Sequence, residues 1–256
     1  MTDLQWLIER PISHRGYHNR ANGIIENSLS AIQCAVEKHY AIEVDLQMTN
    51  DHQAVVFHDD NLDRLTNESG MVMSHPRHEL LQIPLKETTD RIWSLENLLE
   101  EVNGKQTLVV ELKSLNRTDR QIAYLTQVAK IISTYKGPLA VKSFDPHMLR
   151  AMAHLAPNIP RGILSMSRPG EEERTRLGPI LSKLMPSLLH MLGTKPQFIS
   201  YGVDDLPAVV PSLLKRFFKM PLMTWTVRTS QQRQIADQYA DQMIFEGFDP
   251  DQTKTN

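Results

Sequence analysis

A chain of 256 residues, 41% hydrophobic and 23% charged, has room for one large or two small globular domains. A formal net charge of −2 argues against the broad basic field of a nucleic-acid binder. Cys34 stands alone, which excludes an internal disulfide framework and fits a reducing compartment.

Met1 to Trp6 lacks the basic start and apolar core of a secretory signal, and no run reaches the roughly 18 apolar residues of a membrane span. A soluble cytoplasmic protein is the expectation, with membrane contact kept as a less favoured reading. Gln5 to Glu9 is expected to pack across one end of the fold. The first strand reads Ile12 to Gly16 and ends in His14 and Arg15. Ser28 to His39 follows as a helix, apolar at Leu29, Ile32, Ala35 and Val36, with Cys34 as a small buried hydrophobe. Ile42 to Thr49 is the second strand. Asn50 to Gln53 turns the chain, and Ala54 to Phe57 returns it to His58. Asp60 to Trp93 is irregular, broken at Ser69-Gly70, His75-Pro76 and Pro84.

From there strands and helices alternate. The strands are Thr107 to Lys113, Leu139 to Phe144, Arg161 to Ser165, Gln197 to Tyr201, Leu222 to Val227 and Met243 to Glu246. Thr118-Asp119-Arg120-Gln121 opens a helix to Tyr135 with capping-box spacing, and Thr229-Ser230-Gln231-Gln232 repeats that spacing. Eight strand–helix units in about 250 residues match an α/β fold of the TIM (β/α)8 barrel type. A doubly wound open sheet is the alternative. The expected organisation is one barrel domain over residues 1–256, with a small insertion after the second strand at about 60–93, long enough to suggest a functional role. Two connections are unusually apolar, Ile180 to Leu192 and Leu206 to Met220. They read either as ordinary outer helices or as an apolar lip beside the pocket.

Barrel strands deliver their C-terminal ends to one mouth. That mouth would collect His14, Arg15, His58, Glu43, Asp45, Glu111 and Lys113. Side chains two apart on a strand share a face, so Glu43 pairs with Asp45 and Glu111 with Lys113. Carboxylates in apolar strands are costly unless compensated. Three together propose a hard divalent cation, Ca²⁺ or Mg²⁺, rather than zinc. The two histidines remain for proton transfer, and Arg15 and Lys113 for an anion such as phosphate. The combination describes phosphodiester cleavage. Lys142, Trp225 and Glu246 are further candidates near the mouth. His18, His39, His52, His75, His78, His147, His154 and His190 read mostly as surface or loop histidines.

The blocks His14-Arg15-Gly16, Glu26-Asn27-Ser28, Glu43-Val44-Asp45-Leu46, Val56-Phe57-His58-Asp59 with Leu62-Asp63-Arg64-Leu65-Thr66, and Glu111-Leu112-Lys113 resemble, in order and spacing, the glycerophosphodiester phosphodiesterase family. Ser143-Phe144-Asp145-Pro146 and Trp225-Thr226-Val227 are similar to its later strand motifs. The resemblance implies a TIM barrel with a small inserted subdomain. It implies hydrolysis of a small-molecule glycerophosphodiester to glycerol 3-phosphate and an alcohol. It assigns one divalent metal ion to Glu43, Asp45 and Glu111, acid–base roles to His14 and His58, and phosphate contacts to Arg15 and Lys113, with Glu26 near the metal. Ser28 stands where the family usually has Thr. Phe245-Glu246 stands where it usually ends in Thr-Asp. Lysophospholipase D-type cleavage on the same barrel and a non-catalytic anion-binding barrel are the alternatives, and the paired histidines count against the second.

Overall fold

The computed structural model describes residues 4–114 and 118–252, without the side chains of residues 118–120, 172 and 173. Eight parallel strands form its centre: β1 (Ile12–Ser13), β2 (Ala41–Met48), then, after a short hairpin of β3 (Ala54–Val56) and β4 (Trp93–Ser94), β5 (Leu108–Leu112), β6 (Leu139–Ser143), β7 (Arg161–Ser165), β8 (Phe198–Gly202), β9 (Leu222–Val227) and β10 (Gln242–Phe245). Strand β1 pairs with β2 on one side and β10 on the other, so the sheet closes and the open-sheet alternative fails. Seven outer helices make the crossovers: α1 (Leu29–Glu37), α3 (Leu95–Val102), α4 (Thr118–Ile132), α5 (Pro146–Leu155), α6 (Glu171–Leu184), α7 (Val209–Phe218) and α8 (Ser230–Tyr239). The one-turn α2 (Arg77–Leu80) lies between β3 and β4. Among the described residues no helix follows β10. None is long and apolar enough to cross a membrane.

Local chemistry sets the helix starts. Ser28 accepts from Ala31 N and Ser94 from Asn97 N. Asp145 accepts from His147 N ahead of Pro146 at the first helical position. Thr229 and Gln232 form the expected capping box. The matching spacing at Thr118 falls on side chains outside the described ones. The first strand is shorter than the sequence suggests, because the chain turns sharply after Ser13. Arg15 and Gly16 both have positive φ, 56° and 81°, and a Cβ on Gly16 would lie 2.9 Å from that of Ala31.

Alternation along the strands sorts side chains into two compartments. Outward residues of β2, β5 and β6 (Ile42, Val44, Leu46, Leu108, Val110, Val141) pack under α1, α3, α4 and α5. The inward residues Ile12, Ala41, Val109, Ala140, Phe198, Met223 and Ile244 close the lower barrel, and Leu4 and Leu7 of the N-terminal turn cover it from below. That turn is held by Thr107 donating to Trp6 O and Gln242 to Ile8 O, so Gln5 to Glu9 does form the floor. Two residues past Ile12, Ala41, Val109, Ala140 and Ile244 the inward positions turn polar: His14, Glu43, Glu111, Lys142 and Glu246.

The stretch between β3 and β4 is not formless. Leu62, Leu65, Val72, Leu80, Leu85 and Ile92 bury one another against Val55 and Phe57. Single bridges Thr66–Leu85 and Pro84–Arg91 tie its loops.

Gly162 on β7 faces inward, and a Cβ there would lie 2.0 Å from the Phe198 ring. Phe198 is fully buried in the floor layer, so Gly162→Ala overpacks it. The expected loss is about 1–3 kcal/mol of unfolding free energy. Urea denaturation checks this, and a midpoint equal to the parent's would contradict the tight packing of this layer.

Candidate active site

The mouth of the barrel is a pocket of about 490 Å³ whose lining includes His14, Asp45, His58, Glu111, Lys113 and Trp225. Its base is the carboxylate group Glu43, Asp45 and Glu111, whose ligand atoms lie within 4.8 Å of one another. Register brings them together: Asp45 pairs across to Glu111, and Glu111 to Lys142. All three are buried, which for like charges demands compensation.

Three cations supply it. Lys113 Nζ lies 2.9 Å from Asp45 and 2.7 Å from Glu111. Lys142 Nζ lies 2.9 Å from Glu43 and 3.6 Å from Glu111. Arg15 Nε lies 3.4 Å from Asp45. Burial alone would raise the Asp45 carboxyl, but Lys113 and its neighbours hold it well below the usual range. Burial would lower the Lys113 ammonium, and Asp45 and Glu111 push it up instead. Lys142 therefore points inward and is fully buried against the acids, deeper than a residue at the rim reaching for phosphate.

Asn27, which lies between Glu26 and the helix cap Ser28, organises the site. Its side chain donates to Asp45 Oδ2 and accepts from Asp45 N, and its own carbonyl accepts from Trp93 Nε1. Its φ of 57° makes this double contact geometrically accessible. Glu26 does not join the carboxylate group. It accepts from Arg15 and Arg64, and these cations overcome its burial and hold it at about 2.

Each histidine is fixed through one nitrogen. His14 Nδ1 donates to Glu246 Oε2 at 2.7 Å, and His58 Nδ1 to Asp59 Oδ1 at 2.7 Å. Arg64 binds both Asp59 oxygens and both Glu26 oxygens, coupling the His58 dyad to Arg15. Such contacts leave each Nε2 as the nitrogen available for chemistry. Glu246 thus faces the mouth and also accepts from Arg228 at 3.0 Å. His18 lies in the loop after β1, as the sequence suggests, but that loop folds it back toward the mouth: Nε2 is 4.0 Å from Glu246, and burial lowers its pKa. Trp225 lines the pocket, edge-on to Phe144 at 5.6 Å.

Arg176 on α6 reaches Asp60 at 2.9 Å, and Leu177 beside it lines the pocket, so this helix leans over the mouth. Neither apolar segment, 180–192 or 206–220, contributes a side chain to the pocket lining. Helix α7 runs away from the mouth, and Phe218 ends in a groove with Leu4, Gln5 and Ile8 at the floor. The end of α7 therefore forms no lip beside the pocket.

Burial alone would raise Glu246, but the His14 hydrogen bond and the charges of His14 and Arg228 lower it from 4.5 to about 2. A depressed carboxylate stabilises the fold above its unfolded pKa and loses that contribution as pH falls through the folded one. With chelator present, the thermal midpoint should fall between pH 4.5 and 2 more steeply in the parent than in Glu246→Gln. Parallel pH profiles would show that the dyad contributes nothing to folding.

A profile of the glycerophosphoryl diester phosphodiesterase family matches residues 14–248. A glycerophosphodiester phosphodiesterase of Caldanaerobacter subterraneus subsp. tengcongensis (strain DSM 15242 / JCM 11007 / NBRC 100824 / MB4) is 30% identical over 166 residues, 60% of this chain and 65% of that protein. An Oleispira antarctica phosphodiesterase, solved with its product sn-glycerol-3-phosphate, shares the fold at a TM-score of 0.72 and 20% identity over 91% of both chains. The glycerophosphodiester phosphodiesterase of Thermotoga maritima superposes at a TM-score of 0.66 and 21% identity, over 91% of this chain and 92% of its own. With the closed barrel and the matched motifs gathered at its mouth, the chain belongs to the glycerophosphoryl diester phosphodiesterase family of enzymes.

Proposed function

We propose that this chain, as a single barrel domain, hydrolyses glycerophosphodiesters to glycerol 3-phosphate and an alcohol, using His14 and His58 as an acid–base pair and one divalent cation, Ca²⁺ or Mg²⁺. The observation that carries the reading is the pairing of two carboxylate-anchored imidazoles with a buried three-carboxylate group in one pocket. A binding barrel needs the cations but has no use for two oriented histidines.

The donor set fits the metal. Three carboxylates make a hard oxygen site, and Glu43 Oε1 is buried without a hydrogen-bond partner although Lys142 lies beside it. When bound, the cation supplies Lewis-acid polarisation of a phosphoryl oxygen. Arg15 and Lys113 line the same pocket and provide fixed positive charge for the phosphate. One histidine takes the proton of the attacking hydroxyl as the new P–O bond forms. The other protonates the departing alcohol oxygen as the old bond breaks. The same pair serves whether the nucleophile is water or the substrate's own glycerol hydroxyl, which would give a cyclic phosphate that water then opens. Glu246 and Asp59 hold the imidazole tautomers and stabilise the imidazolium form.

Release of glycerol 3-phosphate from glycerophosphocholine should stop on exhaustive chelation and return on adding Ca²⁺ or Mg²⁺. Undiminished release from protein shown to be metal-free would refute the metal site.

His14→Ala and His58→Ala should each lower turnover on the order of 10²–10⁴-fold. The double variant should lose less than the product of the two, because the pair acts as a unit. Near-normal turnover by either folded, metal-loaded single variant would remove that residue from the mechanism.

A further inference from the structure

We propose that the flank of the barrel built on α7 docks onto an anionic lipid surface. Among the described residues, four of the ten exposed large apolar side chains fall on this one helix, Val209, Leu213, Phe217 and Phe218. An ordinary crossover helix has one apolar stripe, facing the sheet. Helix α7 has two. Val210 and Leu214 pack inward with Ile199, Tyr201 and Leu222. Val209, Leu213 and Phe217, at four-residue spacing, form a second stripe facing outward, with Val209 76% and both Phe217 and Phe218 67% exposed. Beyond Phe218 the apolar surface continues into a groove of about 950 Å³ lined by Leu4, Ile8 and Met220, with Arg216 and Lys219 also in its lining.

Charge selects the occupant. Residues 209–220, helix α7 and the turn after it, carry Lys215, Arg216 and Lys219 and no acidic residue, a balance of +3 in a chain of −2 overall. Lys215 is paired with Asp241 at 3.0 Å. Arg216 and Lys219 are exposed and flank the two phenylalanines, and the Arg216 guanidinium sits 5.6 Å from the centre of the Phe217 ring. Exposed aromatics set among cations suit the headgroup region of an anionic bilayer. A second copy of the chain suits this flank less well. A two-fold interface sets the same patch against itself and would oppose these cations. Docking through this flank leaves the mouth open, because α7 runs from the mouth to the floor on the outside of the barrel.

Flotation with vesicles tests this independently of catalysis. The full chain should partition onto phosphatidylglycerol-containing vesicles at least tenfold more than onto pure phosphatidylcholine, and raised salt should release it. Phe217→Ser with Phe218→Ser, and separately Arg216→Glu with Lys219→Glu, should each reduce binding about tenfold or more, with glycerophosphocholine turnover unchanged. Equal partitioning onto both vesicle types, or variants that bind as the parent does, would overturn the proposal. So would a parent dimer in analytical ultracentrifugation that the serine variant converts to monomer, since the face would then cover a second copy.

Discussion

Three carboxylates held within 4.8 Å of one another inside a closed barrel set the terms for the rest of this molecule. Removing such charges from water without partners costs several kcal/mol each, so three together rival a domain's whole stability. The chain meets the cost with three cations from different elements: Arg15 from the turn after β1, Lys113 just past β5 and Lys142 on β6. None of these can move far without stranding a buried acid. The electrostatic cluster thus fixes the relative heights of β2, β5 and β6, and with them the mouth. It also leaves the base of the pocket charge-balanced, three against three.

The excursion between β3 and β4 serves that cluster indirectly. Its small apolar cluster supports the chain leading to His58, while Gln47 donates to the His58 carbonyl and to Asp60. Arg64 gathers Asp59 and Glu26 into one network, and Trp93 holds the Asn27 carbonyl from the far end of the excursion. The insertion therefore braces both the His58 imidazole and the carboxylate group from outside the barrel. This explains why a fold with many possible loops spends more than thirty residues at this point. Each site group is held by at least one contact from another element, so the pocket is organised before substrate arrives.

The molecule is uneven in how it uses apolar residues. The crossovers around β2, β5 and β6 bury theirs against the sheet, whereas the flank of α6 and α7 leaves several in water. Helix α6 is bent at Gly178-Pro179, where Gly178 has φ 76° and Pro179 removes a backbone donor. Leu177 faces the pocket just before the bend, while Ile180 just after it is exposed. Composition alone makes the two apolar segments look alike. Neither lines the mouth: the first begins just past the bend, with Ile180 in water, and the second ends at the floor.

The alternation of strand and helix, the eight units and the carboxylate trio were all legible in the sequence. Strand periodicity is strictly two and carboxylates in apolar strands are rare, so Glu43, Asp45 and Glu111 announce themselves. The same holds for the capping box at Thr229 and for His14 and His58, which stand where apolar runs end. Tertiary structure decided whatever depends on distant segments meeting. Closure of the sheet needed β1 to find β10, some 230 residues away. The roles of Glu246, Asn27, Arg64 and His18 rest on contacts between segments that no spacing rule connects, and the Glu246–His14 pair spans the whole chain. Lys142 illustrates the division. Its position on a strand is read from the sequence, but whether its ammonium faces the acids or the solvent depends on register against β5, which only the folded barrel sets.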